Sequence, residues 1–199
     1  MLPRRFPCAP YTASMMRRIL TAAVVAVAAG LALVPGVALA GNPQGAVVDS
    51  KVLGSLVNNS RSSALFGDTA DAVEDIYGSP DAILKQRVKF AATVREADKV
   101  ISANLAKVKA WKPQSTLGVH MRAYSVWIVG AEAHAVAGVA KALVGFEQRS
   151  TKEQLKVLNT ALDQFVTEVR AIVKGNTSAL NQARTGIPTD EVAAANKAA

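Results

Sequence analysis

Two histidines hold most of the reactive potential in this chain. His120 and His134 stand in the stretch STLGVHMRAYSVWIVGAEAHAVAGVAKALVGF, with Trp127 midway between them and Glu132 two positions before the second. A neutral imidazole ligates haem iron or divalent metals, and near pH 7 it also exchanges protons. On a helix the repeated step of seven, nearly two turns, aims His120, Trp127 and His134 to one side, yet the histidines stand about 21 Å apart along the axis. One metal ion cannot reach both. The Glu-x-x-His spacing of di-iron bundles is missing too, because a single residue separates Glu132 from His134. His120, Glu132 and His134 are thus the candidates for a haem or metal site completed from other helices. The plainer role is that of histidines that fill grooves and hydrogen-bond a neighbour, and no cofactor is expected.

Other chemistries lack their residues. Neither a Gly-x-Ser-x-Gly elbow nor a His-Glu-x-x-His pair occurs, and no strand is present to carry a glycine-rich phosphate loop. The aromatics Tyr77, Trp111, Tyr124 and Trp127 are too few to floor a sugar groove. A single cysteine, Cys8, can neither close an internal disulfide nor build a thiolate metal site. The expectation is a protein that is not an enzyme.

The second candidate chemistry is electrostatic. Lys85, Lys89, Arg95, Lys99 and Lys107 fall opposite the apolar positions Ile83, Phe90, Val94, Ala97, Ile101, Leu105 and Val108 at helical spacing. A basic face of that kind attracts an anionic partner, such as a phospholipid surface, a teichoic-type polymer or nucleic acid. Nucleic acid is the weakest of these, because exposed aromatics for base stacking are missing. The plain alternative is a solvated face partly neutralised by a neighbouring acidic stretch, Asp68, Asp71, Glu74, Asp75 and Asp81.

These residues need helices to position them. Ser79-Pro80-Asp81 is a helix start, with a capping hydroxyl, a proline suited to the first turn and an acid at the positive end of the dipole. The helix runs over 81–111 and stops before Pro113. The next covers 115–146 and is apolar around nearly its whole circumference, which marks a central position in a bundle. Its small residues, Gly130, Gly138 and Ala142 among them, permit close helix packing. Arg122, Glu132, His134 and Lys141 argue against a membrane span, since a charge at mid-bilayer costs about 2.5–3.5 kcal/mol against gains of about 0.3–0.6 kcal/mol per large aliphatic residue. Ser150-Thr151-Lys152-Glu153 is a capping box. It opens a third helix over 151–175, whose Leu155, Leu158, Leu162, Phe165, Val169 and Ile172 form a coiled-coil-like seam, with a restart toward Ala183.

The N-terminus reads as a targeting signal. Arg17 and Arg18 precede an apolar run from Ile19 to Val34, Pro35 and Gly36 break it, and Ala38-Leu39-Ala40 offers a signal peptidase site before Gly41. A bacterial general secretory route to a secreted or extracytoplasmic location is the expectation. Residues 1–14 form an upstream extension before alternative starts at Met15 or Met16. The leader takes four arginines and no acid with it, so the formal charge falls from +8 to +4.

Half the residues are hydrophobic and 19% are charged, which excludes disorder as the default. The expected organisation is extension 1–14, signal peptide 15–40, a short helix (46–58) and acidic linker over 41–78 with room for a helical turn or two from Thr69 to Tyr77, a bundle domain over 79–185 and a flexible tail over 186–199. The fold expectation is all-α, an antiparallel three- or four-helix bundle with long helices. Its function is expected to be non-enzymatic interaction with an anionic envelope component or a protein partner. The haem- or metal-binding bundle is the alternative.

Overall fold

The computed structural model describes residues 41–58 and 61–198, so the leader expected over 1–40 lies outside the described residues. Six helices follow one another: α1 (Pro43–Asn58), α2 (Ser62–Ile76), α3 (Pro80–Ala110), α4 (Thr116–Ala142), α5 (Thr151–Arg184) and α6 (Thr189–Ala198). A 3-10 turn at Phe146–Gln148 joins α4 to α5. Among the described residues there is no strand. Among the described residues the chain is an all-α bundle of long antiparallel helices, as its periodicity predicts, with six helices packed against each other.

The long helices begin where their caps predict. Ser79 and Ser115 accept hydrogen bonds from the amides of Ala82 and Gly118. Ser150 and Glu153 complete the capping box, with the Ser150 amide and hydroxyl donating to Glu153 Oε2 at 3.1 and 2.7 Å. Those hydrogen bonds hold the Glu153 carboxyl below the usual carboxylate range. Replacing Ser150 by alanine should lower the melting temperature by about 2–4 °C, measured by circular dichroism.

Short connections make α3, α4 and α5 antiparallel neighbours, and α2 packs along α3. The partners along the α4–α5 seam descend as expected of opposed chains: His120 meets Ala183, Tyr124 meets Asn176, and His134 meets Glu168. The core fills the space between them. Leu158, Leu162, Phe165, Val169 and Ile172 of the α5 seam are all buried, and Phe165 stacks obliquely on Phe66 of α2 with ring centroids 5.8 Å apart. Each such side chain contributes about 1.5–3 kcal/mol by leaving water.

Three sequence expectations are corrected here. The acidic linker is helix α2, which buries Leu65, Phe66, Thr69, Ala70, Val73 and Ile76 along one side and turns Asp68, Glu74 and Asp75 outward. Its acids are the outer face of a packed helix. Helix α5 does not stop at Gly175 but continues to Arg184. Gly175 is there for clearance: a Cβ would lie 3.0 Å from the Trp127 ring. The tail is no loose end either, because α6 buries Glu191, Val192 and Ala195 and packs on α1.

Candidate functional site

Helix α4 carries the predicted histidines, and its rotation decides what they can do. Leu117, Met121, Tyr124, Ile128, Val136 and Val139 point into the core. Glu132 is in the middle of that buried side, whereas His134, about 200° further round at ~100° per residue, faces outward. The His134 side chain is 77% exposed and its Nε2 lies 3.5 Å from Glu168 Oε1 on α5. His120 is half-buried, with Nδ1 3.1 Å from the carbonyl oxygen of Ala183. A carbonyl only accepts, so Nδ1 carries the proton. The structure therefore separates the three candidates. Among the described residues no group of three or more His, Cys, Asp or Glu side chains is placed to hold a metal ion.

Glu132 is the anomaly of the core. It is 2% exposed, and its Oε2 has no hydrogen-bond partner. Loss of hydration disfavours the charged form, and its carboxyl is pushed up to about 8. The folded chain thus holds a neutral carboxylic acid in its centre at pH 7. Nearby Tyr124 donates its hydroxyl to Asn176 Oδ1 at 2.6 Å. Burial, and after it the field of Glu132, pushes its phenol up.

Two carboxylates that the sequence does not announce meet at the start of α4. Asp49 of α1 is 2% exposed and accepts from the amides of Gln114 and Ser115, each at 2.9 Å, and from the Ser115 hydroxyl at 2.6 Å. Glu191 of α6 is 1% exposed and accepts from the amides of Leu117 at 2.7 Å, Thr116 at 3.3 Å and Asn42 at 2.7 Å. The first amides of a helix lack intrahelical partners and carry its positive end, so anions are favoured there. Here both anions come from other helices. Gly118 makes this possible, because a Cβ at that position would overlap the Asp49 carboxylate. The clue in the sequence was slight: Asp49 shares the stripe of Ala46 and Leu53, and Glu191 precedes Val192 and Ala195. The cluster ties both ends of the described chain to α4. It is a structural clamp, since its carboxylate oxygens are occupied by the fold.

The basic residues behave differently from the histidines, because one helix face keeps them together. Lys85, Lys89, Arg95, Lys99 and Lys107 are all exposed on the side of α3 opposite Ile83, Val94 and Ile101. They span about 33 Å along the axis. Ala92, Ala103 and Ala106 separate them, and Glu96 is the acid among them. Helix α2 packs along α3, where Ser62 accepts from Asn104 Nδ2 at 2.9 Å. No family model, no curated protein and no solved structure matches the chain, so its function must be read from these features.

Proposed function

We propose that this is an exported, non-enzymatic helical-bundle protein that binds an anionic envelope component through the outer face of α3. One observation carries the reading: five cations stand exposed on one side of a 31-residue helix. A rigid row of like charges raises the local potential and attracts polyanions over a Debye length. The leader over 1–40 supports delivery to the envelope. The histidines do not combine into one site, since about 21 Å of α4 lies between them and Glu132 turns into the core.

The test is binding to envelope fractions and to a soluble sulfated polysaccharide at low and high salt. The wild-type chain should bind in low salt and release as salt rises. The variant Lys85→Glu/Lys89→Glu/Lys99→Glu should bind at least about 100-fold more weakly, at roughly fivefold per charge. Its melting curve should not change, because all three positions are exposed. Equal binding by the variant, or no binding at low salt, overturns the reading.

A further inference from the structure

We infer that the anionic partner is a phospholipid bilayer, and that the protein docks on it through the uncovered side of α4 with the cations of α3 beside it. This rests on the anionic-surface reading above and names its partner.

Helix α4 is apolar on both sides, and the fold covers only one. On the other, Val119 is 56% exposed and Trp127 36%, Ala123 and Ala137 are exposed, and His134 and Lys141 stand among them; Val144, 70% exposed, follows in the turn after the helix. From Val119 to Ala137 these residues span about 27 Å of the helix. These residues belong to the segment Thr116–Gln148, which is long and apolar enough to cross a membrane and has 44% of its most apolar window buried within the fold.

The flanks identify the partner. Helix α3 borders one edge, where Arg122 donates to the Lys109 carbonyl and Leu105 is the nearest side chain to Gly130. That edge presents Arg95, Lys99 and Lys109 together with Val88, which is 69% exposed. Helix α5 borders the other edge, with Gly175 under Trp127 and Gln164 beside Gly138. Its residues along this seam are mostly uncharged, Thr160, Gln164, Thr167, Ala171 and Ser178, with the half-buried Glu168 against His134 and with Glu153 and Lys174 in line with Thr160 and Thr167. The face thus mixes aliphatic and indole groups with His134 and Lys141, and it has one mainly cationic edge and one edge of mixed charge. Aliphatic and indole groups enter the headgroup boundary while lysines and arginines meet lipid phosphates.

Other occupants fit less well. A second copy would bring Lys141 and the α3 cations against the same cations, and of the acids beside this face Glu168 already lies against His134. Spanning is disfavoured because α3 and α5 pack along both sides of α4 and carry charged outer faces into any bilayer that α4 would cross. The geometry therefore points to peripheral docking with α4 lying along the surface.

The experiment uses processed protein whose N-terminus has been sequenced, in a Trp111→Phe background so that emission reports Trp127. Vesicles of phosphatidylglycerol and phosphatidylcholine in equal parts should bind it, shift Trp127 emission to the blue and allow quenching by brominated acyl chains. Phosphatidylcholine alone should not. Val119→Gln/Ala137→Gln, at exposed positions and without change of charge, should weaken vesicle binding at least about tenfold while leaving binding to the soluble polysaccharide and the melting curve unchanged. Vesicle binding without a Trp127 shift, and without loss in the glutamine variant, would overturn the inference and leave the anionic-surface reading standing. Dimerisation in light scattering that the same variant abolishes would also overturn it, by assigning the face to a second copy. Failure to bind either vesicles or polysaccharide at low salt would overturn both.

Discussion

Glu132→Gln should widen the stability gap over the wild-type chain by about 3 kcal/mol between pH 5 and pH 7.5. The folded chain keeps the Glu132 proton up to about pH 8, whereas the unfolded chain releases it near the ordinary value of 4.5. Between those limits the folded state binds more protons than the unfolded one, so wild-type stability falls as pH rises, by up to about 1.4 kcal/mol per unit. The stabilising advantage of the protonated acid is complete below pH 4.5 and gone above pH 8. Glutamine has nearly the same shape and no proton to lose, so the variant lacks this slope. At pH 5 the two chains should differ little. Urea unfolding at half-unit pH steps measures the gap, and parallel profiles would show that Glu132 is ionised in a solvated setting. A second readout is the Tyr124 phenol, whose titration should move down in the variant, since the Glu132 charge contributes to holding it up.

Asp49→Ala and Glu191→Ala should each destabilise the chain by about 3 kcal/mol or more, a large part of the stability of an ordinary domain. Either change leaves buried backbone donors at the start of α4 without an acceptor. Asp49→Ala strands Gln114 and Ser115, and Glu191→Ala strands Thr116 and Leu117. Hydrogen exchange should report the damage at those pairs of amides, a pattern that general loosening of the bundle would not reproduce. Because α1 and α6 pack on each other as well as on α4, the double variant should cost less than the sum of the two. Losses under about 1 kcal/mol with unchanged exchange would mean that water replaces the carboxylates without penalty.

The long helices were legible because their signals are local. Ser79-Pro80-Asp81 and Ser150 with Glu153 place the starts of α3 and α5, and the period of Leu158, Leu162, Phe165, Val169 and Ile172 sets the buried side of α5. Helix α2 was legible only as a turn or two from Thr69 to Tyr77, for a physical reason: its stripe includes Thr69 and Ala70, while Asp68, Asp71, Glu74 and Asp75 dominate its composition. Thr69 loses its polarity by donating its hydroxyl to the Leu65 carbonyl one turn back, at 2.8 Å. Gly175 read as a terminator because glycine favours helix ends, and the reason it continues α5 lies in Trp127, on another helix.

The candidate site divides along the same line. Five cations on one face of α3 follow from helical period alone, since residues on one helix share a geometry that neighbours cannot rearrange. The histidines depend on rotation. Period places His120 and His134 on one side of α4, but packing against α3 and α5 turned Glu132 into the core and His134 into solvent. The clamp of Asp49 and Glu191 on α4, 66 and 74 residues away from their amide partners Ser115 and Leu117, leaves almost no local trace. A carboxylate's partner depends on which helix end the chain brings back to it. What the order of residues specifies here is where helices start, which side of each is apolar and where charge accumulates. Which carboxylates go inside, which apolar side stays uncovered and how the two ends of the described chain are held are set by packing, because burial and hydrogen-bond satisfaction are properties of several helices at once.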